Sequence, residues 1–409
     1  MREVLALVFM VRHDRRSWVP AALWGMVAVA SLAAAVWIAI QPGRLQDLHL
    51  VRDWLAYYRD HTGNPYSYFD RQLDYPPIAL LVLSPLGLIP QASLAAWFLP
   101  GTILITALAG WFFVSAIAER LYTQISTPQR VAIVALILAG SSVRGAIWLG
   151  QTVALAVLFG ALALLWSRRR PFAAALALAL CSFKPHLAFG FGLAILLVDG
   201  FDIIVLAAAI VVSASLIVAA AIDQSVLDII ASYGHNLVAM YYGADRIRGL
   251  LSVRWVIEDL VGPDGLATLL YTGAATTSLI VIGVVARRAP DAAGRAHAIA
   301  AAMLWPLLFL PSQLYNGLMA APALWLLMWP ESGLIRRESR RLLCVGAFAL
   351  FGVIDVPRLL RLASDALDNG HWLYKGSYYL NPLRIALVFA FIISVAFRRI
   401  SARDGGPSA

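Results

Sequence analysis

Residues 18–40, WVPAALWGMVAVASLAAAVWIAI, carry no charged side chain and exceed the about 20 residues that a helix needs to cross a bilayer. Three arginines, Arg12, Arg15 and Arg16, come just before this run. A secretory signal peptide would have a shorter apolar core followed by a small-residue cleavage site. The stretch therefore predicts an uncleaved transmembrane helix whose N-terminal flank, residues 1–17, lies in the cytoplasm.

The apolar character of this stretch extends over the whole chain of 409 residues, of which 61% are hydrophobic and 13% are charged. Soluble domains are about 45–50% apolar and about 25% charged. The composition therefore excludes a soluble enzyme, a secreted disulfide scaffold and a disordered regulator. Cys181 and Cys344 lie in apolar stretches and predict neither a disulfide framework nor a metal site.

Arginine clusters determine the predicted topology, because loops rich in Arg and Lys remain in the cytoplasm. The net charge of +9 is almost entirely arginine, since Lys184 and Lys375 are the only lysines. Residues 77–90 are an apolar run interrupted by Pro85. If this run forms a helix in the membrane interface and does not cross the membrane, all of the arginine clusters fall on the cytoplasmic side. The clusters are residues 119–130, 168–170, 287–288, 331–341 and 398–399.

The resulting prediction is an all-α polytopic membrane protein, a single integral membrane domain over residues 1–409 with roughly twelve spans. Two of the spans, in the tight pair 171–184 and 186–199, are short. The predicted segments outside the spans are the cytoplasmic N-terminus 1–17, the extracytoplasmic loop 41–92 with its interfacial helix, the extracytoplasmic loops 223–260 and 358–383, and the cytoplasmic tail 398–409.

The acidic candidates for chemistry follow the first span. Asp47 comes a few residues after it, where a carboxylate can face an outer cavity and act as a general base. The alternative is an interface aspartate or the N-cap of a helix that begins near Leu48, and Asp74 is the strongest competing carboxylate. Tyr75, before a double proline, either begins a helix or contributes to a site. No Asp-x-Asp pair occurs in this loop, so a metal is not predicted.

The basic and amide candidates are predicted on the same outer side as Asp47. An ionisable residue in apolar sequence indicates a functional site by default, although a Lys or Arg at a span end can simply extend towards water. The loop cations can bind a lipid phosphate, since arginine matches phosphate bidentately, or can be neutralised by nearby acids. These predicted binding residues are Arg144, Gln151, Lys184, His235, Arg248 and Arg254.

Together these residues resemble the polytopic GT-C glycosyltransferases, and among them glycosyltransferase family 87, over roughly residues 18–330. An aspartate follows the first span, and Tyr75-Pro76-Pro77-Ile78 is similar to the YPP segment of that family. Gly150-Gln151 then begins a span, and Phe183-Lys184-Pro185 follows some thirty residues later. Arg246-Ile247-Arg248-Gly249 is similar to the loop in which an Arg-Gly pair precedes another arginine, here Arg254.

The resemblance implies a GT-C-like bundle that moves a hexose, with mannose the first choice, from a polyprenyl-phosphate sugar to a cell-envelope glycolipid or glycan. It implies inversion at the sugar, Asp47 as the general base, no cofactor, no nucleic-acid partner, and a site on the extracytoplasmic face of the inner membrane. The alternatives are an arabinose donor, a lipid-linked-sugar flippase or transporter, and a non-catalytic scaffold. Residues 311–316, PSQLYN, depart from the Ser-Pro and paired histidines common in that family, which leaves the acceptor and the sugar open.

Overall fold

The computed structural model is helical, and its helices follow the apolar segments of the sequence. It describes residues 19–41, 44–60, 63–64, 66, 75–120, 125–241, 251–263, 265–289, 291–320, 360, 363–364 and 371–404. The first eight helices are α1 Val19–Ala39, α2 Gln46–Asp60, α3 Ile78–Val82, α4 Ser84–Gly87, α5 Gln91–Arg120, α6 Thr127–Leu138, α7 Ser141–Leu149 and α8 Val153–Trp166. The later helices are α9 Pro171–Cys181, α10 Pro185–Val198, α11 Asp202–Ala221, α12 Val226–Tyr241, α13 Arg254–Val261, α14 Gly265–Arg288, α15 Ala292–Phe309, a 3₁₀ helix Leu314–Ala320, and α16 His371–Asp404.

Five of the described helices are long and apolar enough to cross a membrane: α1, α5, α11, α14 and the part of α16 from Tyr379 to Ser401. The pair α6 and α7 makes a sixth if it is one span bent by 51° at its break. Helices α8, α9 and α10 are apolar but shorter. The protein is therefore a helical multi-pass membrane protein, while the count of about twelve spans stays a prediction. The predicted span 342–357 lies outside the described residues.

The structure has helices within several of the predicted segments outside the spans. Residues 77–90 form two short helices, α3 and α4, because Pro85 is compatible only with the first turn of a new helix. Helix α16 begins at His371, inside the predicted extracytoplasmic loop 358–383, and the part of it that can cross the membrane begins at Tyr379. That helix also continues to Asp404, so residues 398–404 of the predicted tail are helical.

The core forms around α8, which packs against α5, α9 and α10. Close approach depends on small residues, as in many membrane helix pairs. A Cβ at Gly160 would lie 2.1 Å from the ring of Phe191 on α10, so only glycine admits that ring. On the other side of α10 lies α15, which in turn contacts α14 and α16. Helix α1 packs against α6 and α7.

A buried ion cluster joins α5, α8 and α10 at one end of this core. Arg120 donates to Asp199 and to the hydroxyl of Ser167, and Arg168 donates to the other Asp199 oxygen at 2.9 Å. The side chains of Arg120 and Asp199 are 3% and 1% exposed. Desolvation alone would raise the pKa of Asp199, but Arg120 and the bonds from Ser167 and Arg168 outweigh it and hold that pKa below its ordinary value.

We expect Asp199→Asn to destabilise the fold by about 3–5 kcal/mol, because it leaves the Arg120 guanidinium buried without its counter-ion. Thermal unfolding in detergent measures the change. The matched control is Glu119→Gln. Its partner Arg169 is 75% exposed, and loss of that pair is expected to cost about 0–1 kcal/mol.

The Arg120–Asp199 pair makes stability depend on pH. Because the folded-state pKa of Asp199 is lowered, the contribution of Asp199 to the free energy of unfolding is present above the unfolded-state pKa and is lost as the pH falls through the folded-state value. Equal melting temperatures for the two variants would contradict this role.

Candidate active site

The site begins where α2 crosses the end of α7. Helix α7 ends at Leu149 and is capped by Gly150, which has φ of +73°, and the backbone N–H of Gln151 donates to the Ala146 carbonyl at 2.8 Å. This is the left-handed glycine that commonly ends a helix. Glycine is required at position 150 for a second reason besides its positive φ, because a Cβ there would lie 2.4 Å from the Cβ of Leu48. The Leu45 amide also donates to the Trp148 carbonyl at 3.1 Å, so α2 is fixed against this corner.

This crossing places Asp47, in the first turn of α2, beside Gln151. The amide nitrogen of Gln151 donates to Oδ2 of Asp47. Gln151 is 5% exposed, whereas Asp47 is only half-buried, so part of Asp47 remains exposed at the surface of the protein. The carboxylate is therefore oriented by a buried amide and remains within reach of a molecule entering from outside.

Lys184 binds the side-chain oxygen of Gln151. Its ammonium donates to Oε1 of Gln151 at 3.2 Å, and the residue is 3% exposed. An ammonium can only donate and an ionised carboxylate can only accept. The Gln151 side chain satisfies both groups in one orientation only, with its oxygen towards Lys184 and its nitrogen towards Asp47. One neutral side chain thus fixes a base and a cation next to each other.

Aromatic rings surround the Lys184 ammonium. It lies 4.1 Å from the ring centroid of Tyr75 and 6.0 Å from that of Tyr315. The ring of Tyr75 stacks on Phe183 with a centroid separation of 6.4 Å. A desolvated cation over such faces gains about 2 kcal/mol, which offsets part of the cost of its burial. Aromatic faces combined with a cation and a carboxylate suit a sugar bound next to an anion.

Tyr75 is itself fixed from two sides. Its hydroxyl and that of Thr152 are hydrogen-bonded at 3.3 Å. Its carbonyl accepts from the hydroxyl of Tyr66 at 2.6 Å. Both tyrosines are buried, at 4% and 2% exposed respectively. The structure therefore brings together three of the predicted ligand residues, Tyr75, Gln151 and Lys184, with the predicted base Asp47.

The other predicted binding residues have different surroundings. Arg144 donates to the Ser31 hydroxyl and the Ala139 carbonyl, each at 2.7 Å, and so joins α1 to the break between α6 and α7. Arg254 pairs with Glu258 at 2.7 Å. His235 is exposed on α12. Their roles stay predictions.

Two predicted groups lie outside the described residues: Arg248, a predicted phosphate ligand, and Asp74, the competing carboxylate.

Sequence reasoning missed Tyr315, Thr152 and the contact of Tyr66 with Tyr75. Tyr315 belongs to the 3₁₀ helix, which packs against α7, α8 and α15. The only signal was that residues 311–316 form a polar, aromatic turn between two apolar segments. The adjacent Asn316 is 1% exposed, and its side-chain oxygen has no hydrogen-bond partner among the residues that the structure describes. Within the described residues, no three His, Cys, Asp or Glu side chains group as metal ligands would.

The family model of glycosyltransferase family 87 matches residues 73–312, more than half of the chain. The chain belongs to glycosyltransferase family 87. It is accordingly a membrane glycosyltransferase. No curated protein matches the chain. The matched region contains Tyr75, Gln151 and Lys184 but begins after Asp47.

Gly150→Ala is expected to separate α2 from Gln151, because the added methyl group collides with Leu48 and L-residues are strained at this positive φ. Such a backbone conformation costs about 1–3 kcal/mol, so the melting temperature in detergent is expected to fall together with glycosyl transfer. The control is Gly273→Ala on α14, where an added Cβ meets no atom of the described residues within 4 Å and alanine favours the helix. Unchanged stability and transfer in Gly150→Ala would mean that the crossing is not needed.

Proposed function

We propose that the protein transfers a hexose, with mannose the first choice, from a polyprenyl-phosphate sugar to a cell-envelope glycolipid or glycan on the extracytoplasmic face of the inner membrane. The observation that carries the proposal is the Gln151 side chain, which hydrogen-bonds Asp47 and Lys184 at its two ends. Transfer from a sugar phosphate needs both of these neighbours, a base for the attacking hydroxyl and a cation for the departing phosphate.

Asp47 is the proposed general base. The acceptor hydroxyl oxygen bonds to the anomeric carbon while the bond from that carbon to the phosphate oxygen breaks, and the hydroxyl proton passes to the Asp47 carboxylate. The polyprenyl phosphate leaves with the bonding electron pair and gains one negative charge. Attack opposite the leaving group inverts the anomeric centre. The leaving group needs no proton, so one carboxylate is sufficient.

Lys184 is the proposed ligand of the donor phosphate. The negative charge that develops on the leaving oxygen is stabilised by an ammonium already held in place, and electrostatic stabilisation of this kind is worth most where water is excluded. Lys184 is almost fully buried and its aromatic neighbours restrict water access. Arg248, which precedes α13 in the sequence, and Arg254, the first residue of α13, are proposed as further phosphate ligands. Arg144 and His235 are proposed to bind at the edge of the site.

Tyr75 and Tyr315 are proposed to contribute to substrate binding through Lys184, because their rings lie against the ammonium that would bind the donor phosphate. The buried side-chain oxygen of Asn316, next to Tyr315, is proposed to accept a hydrogen bond from a substrate hydroxyl. A donor carried on a polyprenyl lipid suits this protein, because the site lies between helices whose outer faces are apolar. Such a donor can reach the site from within the bilayer.

Asp47→Asn is expected to reduce transfer by about 10²–10⁴-fold, the usual contribution of a positioned general base. The amide keeps the size of the side chain, so folding is expected to be preserved. Turnover is measured with saturating donor and acceptor. The control is Asp53→Asn on the same helix α2, where Asp53 is 47% exposed and pairs with Arg52. Near-normal turnover in Asp47→Asn would transfer the role of base to another carboxylate, with Asp74 tested next.

Lys184→Gln is expected to weaken donor binding by about 10–100-fold, since a hydrogen bond to a charged group is worth about 1.5–3 kcal/mol. The measurement is the Kd of a non-transferable polyprenyl-phosphate sugar analogue. The control is Arg168→Gln, which removes a cation from the far ion cluster and is expected to leave the Kd unchanged. A loss of turnover in Lys184→Gln with unaltered Kd would contradict ground-state phosphate binding.

The substrate assignment is tested with purified protein in nanodiscs. It is incubated separately with polyprenyl-phosphate mannose, glucose and arabinose together with extracted cell-envelope lipids, and the products are identified by mass. Mannose-dependent products support the first choice, and arabinose-dependent products support the alternative donor. Movement of the donor between leaflets without any new glycoside would instead favour the flippase.

A further inference from the structure

Helix α12 lies across the end of a membrane span. Span α11 ends at Ala221, and α12 begins at Val226 after a turn in which Asp223 has φ of +53°. The buried Ile229 of α12 packs in one cluster with Val218, Ala219 and Ile222 at the end of that span. Because only four residues separate the two helices, α12 starts at the level where α11 leaves the bilayer.

Helix α12 does not pass back through the membrane along α11. Its inner face continues instead onto the segment after α2: Ser232 accepts from Asn64 at 2.8 Å, and the rings of Tyr233 and Tyr66 lie 5.6 Å apart. Asn236 donates to the Tyr66 carbonyl at 3.4 Å. At about 1.5 Å per residue, its 16 residues span about 24 Å, less than the about 30 Å of a hydrocarbon core.

The outer face of α12 carries an exposed apolar stripe. Leu227, Ile230 and Val238 are 74%, 50% and 58% exposed, and Ala231 is exposed between them. At 100° per residue these side chains fall within about 100° of one another, on the side opposite the buried Ile229 and Asn236. Asp228 and His235 are also exposed and lie together along one border of this stripe. This is the arrangement of a helix that lies in a membrane surface.

We propose that α12 lies in the bilayer interface, with the stripe of Leu227, Ile230, Ala231 and Val238 in contact with acyl chains and with Asp228 and His235 at headgroup level. A lipid surface is the occupant that the position favours, because the stripe is continuous in the chain with a span that leaves the membrane at the same level. His235 thereby gains a position at the lipid headgroups.

The same helix reaches the candidate active site through its inner face. It holds Asn64 and Tyr66, and the Tyr66 hydroxyl donates to the Tyr75 carbonyl. Tyr75 in turn lies under the Lys184 ammonium. Helix α12 is thus anchored in lipid on one side and hydrogen-bonded to Asn64 and Tyr66 on the other. It thereby positions the Tyr75 ring, which contacts Lys184, relative to the bilayer surface. The anchoring is independent of which sugar, if any, the site transfers.

The test uses a fluorescent label at single cysteines on α12. Ile230→Cys, Val238→Cys and Asp228→Cys are prepared with Cys181 and Cys344 replaced by alanine, labelled with an NBD fluorophore, and reconstituted in phosphatidylcholine vesicles. A fraction of the lipid carries a nitroxide near the top of its acyl chain. The Asp228 label is the matched control, since it is exposed on the same helix but about 100° from Leu227. Circular dichroism and thermal melting verify the fold of each variant.

The proposal expects quenching at positions 230 and 238 to exceed that at position 228 by about twofold or more, because the apolar stripe faces the acyl chains. Equal or weaker quenching at 230 and 238 overturns it. Weak quenching with strong energy transfer between labels on different molecules also overturns it and assigns the stripe to a second copy of the chain. Vesicle quenching does not depend on transfer activity, so an inactive preparation still decides the result.

Discussion

The contact between Gly150 and Leu48 is the constraint on which the candidate site depends. A helix that ends in a left-handed glycine exposes the next residue at a sharp corner, and at this corner the missing Cβ also admits α2. The two requirements coincide at one residue, so the first turn of α2 is brought onto Gln151. Without that approach, Asp47 would be an ordinary aspartate at the start of an amphipathic helix.

Gln151 links the two charged groups of the site. Its side-chain oxygen accepts from the Lys184 ammonium and its side-chain nitrogen donates to Asp47, so a neutral amide joins a cation to a carboxylate. The opposite end of α10 differs, because Arg120 and Asp199 pair directly and are buried together. Removing one partner of such a buried pair leaves an uncompensated charge, so the Arg120–Asp199 pair stabilises the packing of the helices.

Two routes connect the site to the membrane. One passes through the helix bundle, because Lys184 directly precedes α10 as its N-cap residue and α10 packs between α8 and α15. The other passes over its surface, from α12 through Tyr66 to Tyr75. Both routes end at the same ammonium. Lys184 is therefore held both by the helix bundle and by the path that runs from α12.

The sequence by itself determined the class of the protein and the residue types of its chemistry. Apolar run lengths predicted helices, and the short segments of the family resemblance carried Tyr75, Gln151 and Lys184, because these are local properties of composition and spacing. Tertiary structure decided which candidates meet. Arg144 and Lys184 look alike as cations in apolar sequence, yet one joins α1 to a helix break and the other lies among aromatic rings. Tyr315 had only the weak signal of a polar, aromatic turn, since a residue more than a hundred positions away reaches Lys184 only through the packing of the 3₁₀ helix against α7, α8 and α15.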